Sequence, residues 1–305
     1  MPVPHTILVV GSANTDMVIK ADKFPQPGET ILGGQFFMFP GGKGANQAVA
    51  AARLGGRVTF ITKVGNDIFG SKALQQFKDE GIRTDYVFSD PENPSGVALI
   101  TVNAKGENTI VVAQGSNGTL SPDDVQKAAN EFTTADIVLM QLEIPMPTVL
   151  HTARLASQHG KKVILNPAPA AVLPAEIFHY LFMITPNKSE TESLTGIEIK
   201  DQSSLEKAAR KIFEKGVPNI VITLGVEGAF IFNDQGSRLI PTPKVKAVDT
   251  TAAGDIFNGA LAVALSENKT LDEAVTFANQ AAAFSVTKMG AQASAPFKNE
   301  LIQTL

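Results

Sequence analysis

The 305-residue chain contains no cysteine and no tryptophan, only two tyrosines and four histidines. Without cysteine it can form no disulfide, no thiolate zinc site and no cysteine nucleophile, a pattern that suits a reducing compartment. The histidines, His5, His151, His159 and His179, stand apart from every dense motif in the chain. Histidine catalysis and a histidine-rich metal site are therefore disfavoured. The shortage of tyrosine and tryptophan removes the aromatic platforms that stack on nucleic-acid bases. Positive charge is not in excess either: 26 Lys and Arg against 30 Asp and Glu leave a formal net charge of −4. No basic surface for nucleic acid or an anionic membrane is implied. No run approaches the roughly 18 apolar residues of a membrane span, and the first residues lack the charged-then-apolar pattern of a secretion signal. Glycine/serine linkers, low-complexity tracts and repeats are also missing. The expectation is a soluble, cytoplasmic protein with neither nucleic-acid nor membrane partners.

What is present is a hydrophobic content of 44% with 18% charged residues, enough for a large buried core. The length suits one large α/β domain or two smaller ones. Ile7-Leu-Val-Val10, ending in Gly11, has the signature of a buried strand. Residues 12–40 are broken by Pro25, Pro27, Gly28, Gly33, Gly34 and Pro40 and read as short strands of an exposed flap. Helical spacing over 45–54 stops at Gly55-Gly56; a strand is predicted over 58–62 and a helix over 71–80. Strands over 97–102 and 109–113 bracket a hairpin loop and could join the flap in a small second sheet. From residue 121 the alternation is regular. Helices near 122–131, 146–159, 188–194, 203–215, 254–266 and 271–287 are separated by strands near 137–141, 162–166, 182–185, 220–223 and 229–233. That order predicts a largely parallel sheet flanked by helices. Ligands of such folds collect at the carboxyl ends of strands, where Asn166, Asn187, Thr223 and Gly225 fall.

Two motifs are dense. Asp249-Thr-Thr-Ala-Ala-Gly-Asp255 places two carboxylates six residues apart, with small residues between, at the mouth of an apolar helix. Backbone N–H groups there can approach an anion, and the helix dipole favours it. A carboxylate beside an anion hole suits phosphoryl transfer; an acidic helix N-terminus is the plain alternative. Gly41-Gly-Lys-Gly-Ala-Asn-Gln47 resembles a nucleotide P-loop but fails its pattern, because Gly44 follows Lys43. Its backbone N–H groups and the Asn46 amide suit a polyol, or it is a glycine-rich strand-to-helix turn.

Weaker signals surround these. In Asn14-Thr-Asp16 the carboxylate could accept two adjacent sugar hydroxyls and Asn14 could reach a third group; an Asx turn is the alternative. Glu143 could accept a further hydroxyl or be a solvated charge. Thr223-Leu-Gly-Val-Glu-Gly228 could touch a nucleotide or form a hairpin. Asn187-Lys-Ser-Glu190 could cap a helix or lie near hydrated Mg²⁺ and the phosphates of ATP.

In this combination the segments resemble the ribokinase/phosphofructokinase-B family of carbohydrate kinases, over residues 9 to 296. Gly41-Gly-Lys-Gly-Ala-Asn46 and Asp249-Thr-Thr-Ala-Ala-Gly-Asp255 anchor the resemblance. Gly11-Ser-Ala-Asn-Thr-Asp16, Pro27-Gly-Glu-Thr30, Asn166-Pro-Ala-Pro169 and Thr185-Pro-Asn-Lys-Ser-Glu190 fit it too. The resemblance implies a single α/β domain over 1–305 with a central, mostly parallel sheet and helices on both faces. It also implies a small β-sheet lid from about 12–40 and 95–115, often paired with its twin in a homodimer. By the same resemblance Asn14, Asp16, Gly42, Lys43, Asn46 and Glu143 are pentose ligands. Asp255 is the base, and Ala252, Ala253 and Gly254 form the anion hole. Asn187, Thr223, Gly225, Gly228, Gly254 and Asn279 contact the nucleotide, with Glu190 ordering Mg²⁺ and its water. Asp249, Thr251, Ser285, Lys288, Gly290 and Ser294 surround a monovalent cation, K⁺, mostly through backbone carbonyls. Two positions depart from the family pattern: Ala252 where glycine is frequent, and Asn279 where a histidine often stands beside adenine.

The activity so implied is phosphorylation of D-ribose at its 5-hydroxyl by ATP. Deoxyribose, fructose and nucleosides are the substrates of related kinases. For a nucleoside, Phe36, Phe37 and Phe39 could offer an aromatic slot or simply pack the lid. The scarcity of Lys and Arg in the lid disfavours a phosphosugar. A non-catalytic sugar sensor on the same fold is the alternative from another class.

Overall fold

The first strand of the computed structural model, which describes residues 5–304, is buried on both faces. In β1 (Thr6–Val10), Ile7 and Val9 enter one apolar cluster while Leu8 and Val10 enter another. An unbroken apolar run is what a parallel strand between two helical layers requires. The following strands are β2 (Asn14–Lys20), β3 (Gln35–Gly41), β4 (Arg57–Gly65), β5 (Val87–Asp90), β6 (Gly96–Val102) and β7 (Asn108–Ala113). Then come β8 (Ile137–Met140), β9 (Lys162–Leu165), β10 (Met183–Ile184), β11 (Asn219–Thr223), β12 (Ala229–Asn233) and β13 (Gly236–Ile240).

Nine strands form the main sheet in the order β13-β12-β11-β10-β9-β8-β1-β4-β5, parallel except for the β11–β12–β13 meander. Helices α1 (Lys43–Arg53) and α2 (Ile68–Asp79) cover one face. On the other face lie α3 (Pro122–Lys127), α4 (Glu131–Thr134), α5 (Met146–Gln158), α6 (Lys188–Thr195) and α7 (Gln202–Phe213). Helices α8 (Ala253–Ser266), α9 (Leu271–Ser285) and α10 (Lys298–Thr304) return to the first face. Among the described residues no helix is long and apolar enough to cross a membrane.

The remaining four strands form a separate sheet, ordered β3-β2-β6-β7. Its two faces differ. Register puts Asp16 opposite Phe39 and Ala98, on the face toward the main sheet's crevice. Ile19, Phe36, Met38, Leu99 and Val111 share the other face and are exposed.

Most expected elements are found, with corrections. The helix expected over 122–131 is two short ones, interrupted at 128–130 by tight turns that donate Ala128 N–H to Val125 and Glu131 N–H to Ala128. The break turns Phe132 into the core. β5 and β13 were not expected. Asn14-Thr-Asp16 lies in a strand rather than an Asx turn, and Thr223-Leu-Gly-Val-Glu-Gly228 joins the antiparallel β11 and β12 as a hairpin.

Candidate active site

After β1 the chain places β4 and β5 on one side of it and β8 to β11 on the other. The crevice opens where strand order reverses, at the carboxyl ends of β1 and β8. Ser12, just past β1, donates its hydroxyl to Glu143 Oε2 at 2.5 Å, and the Lys43 backbone N–H donates to the same oxygen at 2.9 Å. One carboxylate thus ties the β1–β2 link, the loop after β8 and the start of α1. The glycines of the 41–47 motif make this approach possible. Gly42 has φ +88°, and a Cβ there would stand 2.7 Å from the Asn14 nitrogen; at Gly44 it would stand 2.5 Å from the Ser12 nitrogen.

On the side of the smaller sheet, Asn14, Asp16, Asn46 and Asp255 converge. Asn14 Oδ1 accepts from Asn117 Nδ2 at 2.7 Å, which leaves its own amide donors to act. Asn46 donates Nδ2 to Asp255 Oδ2 at 2.9 Å, while its Oδ1 is buried with no hydrogen-bond partner. A buried orphan acceptor is costly unless a ligand donor completes it. Burial pushes the Asp16 carboxyl up to about 6, helped by the charges of Glu143 and Asp255 and opposed by Lys43. The Lys43 ammonium is held above its usual range, first by Asp255 and then by Glu143, Glu190 and Asp16, although burial works the other way. One cation among four carboxylates leaves the crevice short of positive charge.

Behind Asp255 a cavity of about 190 Å³ is lined by Lys43, Glu190, Ala252, Ala253, Gly254 and Asp255, among others. It opens at the N-terminus of the 14-residue α8, where unpaired N–H groups and the dipole favour an anion. A Cβ on Gly254 would meet nothing within 4 Å, so that wall is open. Ala252 is held at φ 58°, ψ 12°, a left-handed conformation that costs an L-residue roughly 1–2 kcal/mol. Ala252→Gly should raise stability by about 0.5–1 kcal/mol after the extra freedom of glycine in the unfolded chain is subtracted. Equilibrium urea unfolding checks this; a lowered midpoint would mean that the turn relaxes in solution.

A second cavity, about 290 Å³, continues past Asn187, Thr223, Gly225 and Glu227. Asn187 and Glu190 form a reciprocal capping box on α6: Asn187 Oδ1 accepts from the Glu190 N–H and Glu190 Oε2 from the Asn187 N–H, both at 2.8 Å. The cap uses one Glu190 oxygen and leaves the other. Burial, with a smaller push from Asp255, raises the Glu190 carboxyl despite the Asn187 N–H and Lys43. Such an under-compensated carboxylate fits a cation. Gly228 closes the β11–β12 hairpin, where a side chain would collide with the Ile240 carbonyl. Asn279 is placed differently from the others: it is buried and donates its amide to the carbonyls of Ile240 and Pro241. A larger hollow of about 660 Å³ lies at the amino ends of the strands, among Arg57, Arg83, Glu131 and Asp136, and holds none of these residues.

Asp249 sits just outside. Its Oδ1 accepts from the Thr251 N–H and hydroxyl, its Oδ2 from the Gly290 N–H. Burial would raise this carboxyl, but those bonds hold it below its usual range. Ser285 ends α9, and the neighbouring Val286 carbonyl accepts from Val248 and Asp249. Ser294 donates its buried hydroxyl to Ala291, and Lys288 turns its ammonium away to Glu300. One carboxylate with hydroxyl and carbonyl oxygens suits a hard cation of low charge.

The family model for pfkB carbohydrate kinases matches residues 4–298. The chain belongs to that family. This pfkB-family kinase is 45% identical over 300 residues to the ribokinase of Haemophilus influenzae, covering 98% of each chain. The solved ribokinase of Thermotoga maritima shares 43% identity and superposes with a TM-score of 0.91, covering 98% of each chain. That of Arabidopsis thaliana, solved with ribose and ATP, gives 0.94 at 31% identity, covering 99% and 98%.

Sequence reasoning missed several polar residues of the kinase's crevice. Gln47 and Gln141 are fully buried, and Asn117 and Asn258 are nearly so; Asn166, expected at a strand's carboxyl end, is buried with them. One signal was available: Gln47 follows Asn46, and these two are the only amide side chains in the helical run Ala45 to Arg53.

Proposed function

We propose that this kinase transfers the γ-phosphoryl group of ATP to the primary 5-hydroxyl of D-ribose. The observation that carries the reading is the Asp255 carboxylate, fixed by Asn46 and Gln47 on one wall of the cavity that Ala252 to Gly254 complete. The similarity to ribokinases over the whole chain supports the sugar. Asp16 and Asn14 bind ring hydroxyls as acceptor and donor, Asn46 Oδ1 accepts one more, and Gly42, Lys43 and Glu143 shape the rest of the sugar site. Asp255 accepts the proton as the 5-oxygen bonds to phosphorus and the β–γ bridging bond breaks, giving ribose 5-phosphate and ADP. The transition state of such transfers is loose, so positioning and charge carry most of the acceleration. The N–H group of Gly254 at the start of α8, with Lys43, stabilises charge on the equatorial oxygens; the Ala253 N–H donates to the Thr250 carbonyl at 3.3 Å and so shapes the turn.

Asn187, Thr223, Gly225, Gly228 and Gly254 border the nucleotide; Asn279 shapes that wall by holding the end of β13. Glu190 would hold hydrated Mg²⁺, which neutralises phosphate charge there. Asp249, Thr251, Ser285, Lys288, Gly290 and Ser294 would hold K⁺, which steadies the anion-hole turn. Replacing K⁺ by a large organic cation should lower kcat at least about tenfold, read in a coupled ADP-release assay; equal rates would remove the cation site.

The smaller sheet is the lid, and the domain is single. Its exposed apolar face suits pairing with a second copy, since an unprotected edge and face invite association. The cytoplasm suits the substrates. The decisive experiment runs the assay across ribose, deoxyribose, fructose and adenosine. Ribose should give the highest kcat/KM; preference for another of them would move the assignment within the family, and no turnover would favour a sugar sensor.

A further inference from the structure

A fully buried amide in an alanine-rich helix needs all its hydrogen-bonding groups paired, and Gln47 has them paired toward the chemistry. Its Nε2 donates to Asp255 Oδ1 at 2.9 Å and to Asn166 Oδ1 at 3.1 Å, and its Oε1 accepts from Gln141 Nε2 at 2.6 Å. The orientation of every amide follows from one backbone group. The Thr185 carbonyl takes Asn166 Nδ2 at 3.1 Å, so Asn166 turns its oxygen to Gln47. Gln47 must then turn its nitrogen to Asn166 and Asp255, and its oxygen to Gln141. Gln141 Oε1 ends the chain against Gly11, buried with no hydrogen-bond partner, and a side chain at Gly11 would collide with it.

The network also reaches the anion-binding turn from the far side. Thr185 donates its hydroxyl to Asn258 Oδ1 at 2.6 Å, and Asn258 Nδ2 donates to the Gly254 carbonyl at 2.8 Å. Asp255 and the turn that precedes it are therefore held by one chain of hydrogen bonds, buried except at its Gly254 end.

We infer that Gln47 is a positioning residue for phosphoryl transfer: held by Gln141, it fixes the Asp255 carboxylate against the anion-binding turn. The inference rests on the reading of Asp255 as base. Asn46 restrains the other carboxylate oxygen and also faces the sugar site, whereas Gln47 acts only through Asp255.

Gln47→Met keeps the volume and deletes the donor. We expect kcat to fall about 10- to 100-fold, the size of effect a misplaced catalytic group produces, with KM for ribose within about threefold. Gln141→Leu should give the same split at smaller size, about 3- to 10-fold, and it decides the matter if Gln47→Met does not fold. A kcat within twofold of the parent, or a loss carried by KM rather than kcat, overturns the inference. Asp255→Asn is assayed beside them: if it stays active the base reading fails, and if it is inactive while the glutamine variants are not, only the role of Gln47 fails.

Discussion

Asp255→Asn is expected to lower kcat by roughly 10²–10⁴-fold, the usual contribution of a positioned acid or base, while ribose binding weakens by no more than about tenfold. The asymmetry follows from the hydrogen bonds around the group. In the parent both carboxylate oxygens accept, one from Asn46 and one from Gln47. An asparagine there offers one oxygen and one NH₂, so one of the two donors must give way. Gln47 cannot, because Asn166 and Gln141 hold its amide. Asn46 can, because its Oδ1 has no partner and a flip of its amide meets the new donor. The variant therefore keeps its fold and most of its sugar contacts, and loses the acceptor for the hydroxyl proton. Its thermal midpoint should stay near that of the parent. Near-parental kcat in the folded variant would remove Asp255 from the role of base; a ribose KM raised as much as kcat is lowered would make it a binding group instead.

The same bonds show what could be read from the chain and what could not. The alternation of apolar runs with helical segments was enough for the main sheet, because β1, β8, β9 and β11 are buried on both faces and carry little else. β13 and β5 were not legible: GSRLI is half exposed and VFSD is four residues long, so neither stands out by hydrophobicity. Asn14, Asp16, Asn46 and Asp255 were singled out by motif, and the structure brings them to one crevice. The partners of Gln47 lie 94, 119 and 208 residues away, and no local pattern encodes which amide a buried glutamine will meet. Asn279 shows the converse. Its place in the chain suggested a nucleotide contact, but the end of β13, itself unseen in the sequence, takes its donors. The left-handed turn at Ala252 was hidden for a similar reason, since alanine gives no sign of positive φ.

Asp16→Ala should raise KM for ribose at least about 100-fold and change kcat little. Hydrogen bonds to a charged group contribute about 1.5–3 kcal/mol each, and two hydroxyls lost together exceed the roughly 2.7 kcal/mol that a factor of 100 requires. Asp16 also makes the parent's sugar affinity depend on pH. Burial, then Glu143 and Asp255, raise its carboxyl from the ordinary 3.8 to about 6. Ribose hydroxyls donate to the ionised form, so KM should be flat above about pH 7 and climb toward tenfold per pH unit below 6. In Asp16→Ala that slope should vanish. A parent KM that does not change between pH 5 and 8 would contradict the assignment. Stability without sugar runs the other way. The folded protein binds this proton more tightly than the unfolded chain, so the cost of burying the charge is absent below pH 4. It grows as pH rises through 6, toward about 3 kcal/mol at 1.36 kcal/mol per pH unit. Asp16→Asn should therefore be more stable than the parent at pH 8 and nearly equal to it at pH 4. A residue that destabilises the free enzyme at working pH and is relieved when hydroxyls bind is a binding group held ready at a cost to the fold. Added ribose should raise the thermal midpoint of the parent well above that of the variant at the same concentration, because only the parent couples sugar binding to the ionised carboxylate.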